Sequence, residues 1–173
     1  SQNDCQQMGA NAGGHPEALN EKFYIMGKDE KGGFDIKPVT ITIVGTNDAP
    51  VFSATTYTAS VTESGVRNLG NDSEPGVPLS VVGQVNSHDA DLHDKTPTYS
   101  IDGVTKLATA TTVGSETYDY SKTTDYGTLY LNSSSGKYVF KIDDTKGGVV
   151  DKMASGDAKI LDFGITVNDG HDG

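Results

Sequence analysis

The chain has 173 residues, 24 acidic against 13 basic, and a formal net charge of −11. That balance disfavours nucleic acid and anionic membrane surfaces as partners, because both need a basic patch. It favours solubility and supplies many oxygen ligands for divalent cations. No apolar run approaches the roughly 20 residues of a membrane span, so no membrane insertion is expected. Cys5 is the single cysteine. An internal disulfide framework is therefore ruled out, and any staple must be of another kind.

In chain order, residues 1–20 form a polar, Gly-rich stretch without convincing periodicity and read as a poorly structured lead-in. Glu17 to Asn20 leave room for one helical turn at most. Phe23 to Met26 carries a strand pattern, stopped at Asp29 to Gly33. Phe34 to Val44 is the next strand, and Pro38 within it predicts an edge position or an irregular start. Gly45-Thr46-Asn47-Asp48-Ala49-Pro50 then cuts the pattern with a glycine, two oxygen-bearing side chains and a residue lacking a backbone donor. It reads as a joint between two β units.

Beyond the joint, short strand patterns recur at Val51-Phe52, Tyr57 to Val61, Ser80 to Val85, Thr98 to Ile101, Gly127 to Leu131, Lys137 to Ile142 and Phe163 to Val167. Gly, Asn and Ser punctuate them at intervals typical of a sandwich, with no sustained helical period. Gly127 to Leu131, a turn over Asn132 to Gly136, and Lys137 to Ile142 predict a hairpin. Thr105 to Asp125 reads as a long hairpin or insertion. An antiparallel, immunoglobulin-like β-sandwich is the expected fold.

An internal repeat supports this organisation. The segment Phe23-Tyr24-Ile25-Met26-Gly27-Lys28-Asp29 is echoed by Phe163-Gly164-Ile165-Thr166-Val167-Asn168-Asp169, at a constant offset of 140 residues. Residues 21–46 are then the terminal strands of a preceding unit, or strands of a split domain. Residues 47–50 are the linker, and residues 51–173 form the main sandwich without its last strand. On this reading Phe23 to Val44 pairs with the main sandwich, either within its own chain or in a neighbouring chain by strand exchange.

Asn47-Asp48-Ala49-Pro50 resembles the calcium-binding linker of cadherin-like repeats, and Gly45 to Pro50 resembles the repeat junction of large bacterial surface adhesins. Pro50-Val51-Phe52 with Tyr57, Val61 and Glu63 is similar to the opening of such repeats, and His88-Asp89-Ala90-Asp91 to their Asp-Ala-Asp motif. Asp143-Asp144 and Asp169-Gly170 resemble their later acidic turns, and the Tyr126 to Phe140 hairpin resembles a segment of the VCBS-type repeat. The resemblance implies Ca2+ as the bound ion, with ligands at two poles. Asn47, Asp48, Asp89 and Asp91 would serve the joint, with Asp29 contributed by the preceding unit. Glu63, Asp143 or Asp144, and Asp169 would serve the far pole.

By the same resemblance the chain is a module of an RTX-type adhesin, displayed outside a Gram-negative cell after type I secretion. Its partners would be neighbouring repeats of the same polypeptide, with any surface glycan or protein ligand held by other domains. It would extend and stiffen a rod for adhesion and biofilm formation. Two rivals are a lectin-like sandwich, using Tyr118, Tyr120 and Tyr126 for sugar, and an accessory domain of a secreted hydrolase. Catalysis within the chain is not expected, since it has no Gly-x-Ser-x-Gly elbow and no spaced pair of histidine ligands.

Overall fold

A computed structural model describes residues 18–62, 79–91, 96–143, 145 and 147–171. The described residues are all-β, without a helix, and every paired strand is antiparallel. The arrangement is consistent with a β-sandwich. By contacts the chain divides into one unit of residues 1–49, 89–95 and 169–173 and another of residues 50–88 and 96–168. Residues 1–17 of the expected lead-in, together with Glu63 and Asp144, lie outside the described residues.

The second unit is built on a four-stranded sheet. Its members are β4 (Ser80–Gln84), β9 (Tyr120–Thr124), β10 (Gly127–Leu131) and β11 (Lys137–Ile142), in the order β4-β11-β10-β9. The predicted hairpin is present, with Leu131 facing Tyr138 and Gly127 facing Ile142. Its turn is closed by the Asn132 side chain, whose Oδ1 accepts from the Ser134 and Ser135 backbone N–H groups at 3.1 and 2.9 Å. An Asx turn of this kind is what the Asn-Ser-Ser spacing encodes. Gly136 completes it at φ 68°, and a Cβ there would stand 2.2 Å from the Val85 carbonyl oxygen. Glycine is required there both by backbone conformation and by space.

Alternation along β10 puts Gly127, Leu129 and Leu131 inward as buried residues, with Thr128 and Tyr130 between them. Leu129 and Leu131 join Val85, Tyr99 and Ile101 in the core. Tyr99 and Ile101 arrive on β6 (Thr98–Ile101), which pairs with β12 (Ile165–Asn168). Phe163, Ile165 and Val167 pack on the same core, while the intervening Gly164, Thr166 and Asn168 are exposed. Two short pairs complete this unit, β3 (Val51–Phe52) with β5 (Ser87–His88) and β7 (Thr111–Val113) with β8 (Glu116–Tyr118).

One expectation is corrected within this unit. Tyr57 to Val61 forms no strand. Tyr57 is instead fixed by its hydroxyl, which donates to the Asn86 carbonyl at 2.8 Å and accepts from the Asn86 N–H at 3.0 Å, while its ring packs edge-on to Phe52. The Thr105 to Asp125 stretch contains the β7–β8 hairpin, and its end, β9, is a full member of the main sheet.

That stretch also supplies an anchor that sequence reasoning passed over. Asp119 accepts from the Ser133 N–H at 2.7 Å and the Ser133 hydroxyl at 2.6 Å, and pairs with Lys106 at 2.9 Å. Burial works to raise its carboxyl, but the Ser133 bonds and the Lys106 ammonium prevail and hold it below the usual value. Stability from a carboxyl depressed in the folded state is present above its unfolded pKa, about 3.9, and is lost as pH falls through the folded value. Asp119→Asn is therefore expected to flatten the acid limb of a stability-against-pH curve below about pH 4, and to cost about 2 kcal/mol at neutral pH. Urea titrations from pH 7 to pH 2 measure both, and parallel acid limbs for wild type and variant would contradict the assignment.

The first unit contains a long hairpin, β1 (Ala18–Lys28) with β2 (Phe34–Val44), in register from Ala18 opposite Val44 to Lys28 opposite Phe34. Residues 18–20 belong to β1 rather than to the lead-in or a helical turn. Among the described residues the sheet of β1 and β2 holds these two strands. Within the described residues Phe34 to Val44 pairs with Ala18 to Lys28. Local pairing across the Asp29–Gly33 turn closes a short loop, which costs far less chain entropy than docking on a distant sheet.

Candidate metal centre

The linker after β2 leads into a cluster of acidic and amide side chains, each placed directly beyond a strand. Asp89 follows β5, Asp169 follows β12, and Asn47 and Asp48 precede β3. Two antiparallel registers bring them to one place. Val51 lies opposite His88, so the residues before Val51 and after His88 share an end. Asn168 lies opposite Thr98, so Asp169 shares an end with the residues just before Thr98.

The contacts are direct. Asn47 Nδ2 donates to Asp169 Oδ2 at 3.0 Å, and the Asp48 N–H donates to Asp91 Oδ2 at 2.6 Å. The Asp91 N–H in turn donates to Asp89 Oδ1 at 3.0 Å, and the His171 N–H to Asp169 Oδ1 at 2.7 Å. Asp91 and Asp169 are buried, 6% and 3% exposed. Burial pushes the Asp169 carboxyl up, but the His171 N–H, the Asn47 amide and the His171 ring outweigh it and leave the carboxyl below its ordinary value.

Each of these groups offers a further oxygen that receives no hydrogen. Asn47 Oδ1, Asp89 Oδ2 and Asp91 Oδ1 are all buried and have no hydrogen-bond partner among the described residues. Three buried oxygens without donors are costly, about 1–3 kcal/mol each. The chemistry of these three atoms, all oxygen from carboxylate and amide, suits a hard cation such as calcium. As placed, no three His, Cys, Asp or Glu side chains among the described residues are grouped closely enough to hold a metal ion. An amide contributes one of the three oxygens here, and backbone carbonyls and water ordinarily complete a calcium shell.

The structure regroups the expected ligands. Asn47, Asp48, Asp89 and Asp91 lie in one hydrogen-bonded cluster. Asp169, assigned to a far pole, is bonded instead to Asn47. The β6–β12 register is the reason, since it turns the end of β12 back beside the start of β6. Asp29 does not join this cluster. It caps the hairpin turn, where its Oδ1 accepts from the Lys31 and Gly33 N–H groups at 2.9 and 2.7 Å. From Phe34 to Val44 the strand rises about 33 Å, at about 3.3 Å per residue, and the three residues from Val44 to Asn47 span at most about 10 Å.

Asp143 also makes a local turn, its Oδ1 accepting from the Thr145 N–H at 3.2 Å and from the Thr145 hydroxyl. Asp143 is exposed, and its expected companions Glu63 and Asp144 lie outside the described residues. Of the tyrosines considered for sugar stacking, Tyr118 is buried and Tyr120 packs against the core. In comparisons with known proteins, no family model, no curated protein and no solved structure matches this chain.

Proposed function

We propose that this chain is a calcium-stabilised, immunoglobulin-like module of the cadherin-like kind, from an extracellular bacterial adhesin built of tandem repeats. The observation that carries the reading is the set of three donorless buried oxygens on Asn47, Asp89 and Asp91, drawn from the linker and the Asp-Ala-Asp motif. A cation held there ties the linker to the Asp89–Asp91 segment and to the Asp169 turn, and it offsets the repulsion among their carboxylates. A linker fixed in this way resists bending, which is what a module that extends a rod requires. The charge of −11 fits a chain that works where divalent cations are plentiful.

Isothermal titration of the chelator-treated chain with calcium tests the reading. Saturable binding is expected, with dissociation constants between about 10⁻⁶ and 10⁻³ M, the span from cytosolic sensors to extracellular calcium modules. Asp91→Asn, which keeps the shape but removes the charge, is expected to weaken this binding about tenfold or more. No heat at millimolar calcium, or titrations alike for wild type and variant, would remove the basis of the proposal.

A further inference from the structure

On the face of the four-stranded sheet turned away from Leu129 and Leu131 lies a trough of about 200 Å³, whose lining includes Thr123, Thr128, Tyr130, Lys141 and Asp143. All five belong to the second unit. The register assembles them. Thr128 lies opposite Thr123 on β9 and Lys141 on β11, so three side chains stand in one row across the sheet. Tyr130, half-buried, stands two residues along β10 on the same face. Asp143 follows β11 directly and adds its carboxylate.

The lining selects by chemistry. The Thr123 and Thr128 hydroxyls bond each other at 3.0 Å, and beyond that bond the pair keeps one hydrogen and spare lone pairs. Lys141 offers donors only and Asp143 acceptors only. One cation and one anion cancel, so an anionic ligand meets Asp143 and a chain of net charge −11, while a cationic ligand meets Lys141. A neutral ligand that donates and accepts at several points satisfies all of these groups. Its size is bounded as well, since 200 Å³ is below the roughly 300–1,000 Å³ of sites for drug-sized molecules and has room for one ring. Tyr130 supplies a flat apolar surface for that ring, braced by Tyr118 with centroids 6.2 Å apart. The tyrosines expected to stack on sugar are otherwise engaged. Tyr118 lies against Tyr130, Tyr120 packs on the core, and the Lys159 ammonium sits 5.6 Å from the Tyr126 ring centroid.

We infer that this trough binds one neutral hexopyranose unit, which makes the module a glycan contact as well as a spacer. The C–H face of the sugar lies on Tyr130, and its hydroxyls exchange hydrogen bonds with Thr123, Thr128, Lys141 and Asp143. None of these residues belongs to the cluster of Asn47, Asp89, Asp91 and Asp169, so the inference stands apart from the metal reading.

Amide NMR spectra of the full chain are titrated with the methyl glycosides of glucose, galactose and mannose, and with glucuronate, in calcium and again in chelator. The expected result is saturable shifts at residues 123, 128, 130 and 141 with at least one neutral probe, alike in both conditions, and weaker binding of glucuronate. Tyr130→Ala is expected to weaken binding about tenfold, and Tyr130→Phe, which keeps the ring, to retain most of it. Thr123→Val changes an exposed side chain and is expected to weaken binding about threefold or more, whereas Thr112→Val, exposed on β7 and outside the lining, leaves it near wild type. No saturable shift with any neutral probe at high millimolar concentration overturns the inference. So does glucuronate binding as tightly as the neutral probes, binding lost in chelator, or Thr123→Val behaving like Thr112→Val.

Discussion

In millimolar calcium the thermal unfolding midpoint of this chain is expected to rise, and excess chelator to reverse the rise. The three donorless oxygens of Asn47, Asp89 and Asp91 are an unmet cost in the folded state, and the unfolded chain disperses them into water. A cation that binds only the folded chain stabilises it by about 2.7 kcal/mol at 100 times its dissociation constant. Magnesium is expected to do less, because it demands near-octahedral geometry and gives up water reluctantly, whereas calcium accepts an irregular oxygen shell. Asp169→Asn separates ligation from folding. It retains an oxygen beside Asn47 but removes a buried charge, so the calcium-induced rise should shrink while the chelator-treated midpoint moves less. Scanning calorimetry with calcium, magnesium and chelator makes the comparison. Coincident midpoints in all three would mean that the buried oxygens are satisfied in some other way.

Leu131→Ala is expected to be the most damaging single truncation in the second unit. Leu131 is 0% exposed and lies at the end of β10, opposite Tyr138 on β11 and Tyr120 on β9, within the cluster formed by Val85, Tyr99, Ile101 and Leu129. Neighbours on both sides are fixed by ladders and cannot collapse into the space, so the cavity term adds to the lost transfer energy. The expected cost is about 3 kcal/mol, or roughly 10 °C in midpoint. The same truncation at Val82, which is 70% exposed on β4, should cost well under 1 kcal/mol. Similar losses at the two positions would show that the core lies elsewhere.

The strands of the second unit were legible because their determinants are local. Period-two alternation located β10 and β11 to the residue, and Asn132 to Gly136 marked their turn, since an Asx turn and a left-handed glycine depend on near neighbours alone. β2 was readable for the same reason, from Phe34 to Val44. Asn47, Asp48, Asp89 and Asp91 were singled out by the resemblance of their motifs to cadherin-like repeats. Which of them meet was another matter. Asp169 is 122 residues from Asn47, and only the β6–β12 register brings its carboxylate to that amide. Asp29 matches Asp169 in sequence, yet about 33 Å of strand separates its turn from the linker, a consequence of where the hairpin closes. Asp119 gave no signal either, because its partners Ser133 and Lys106 come from separate loops. Local propensity and periodicity follow from the sequence read in short windows. Which strand ends share a place depends on pairings between distant segments, and the tertiary structure alone decided those.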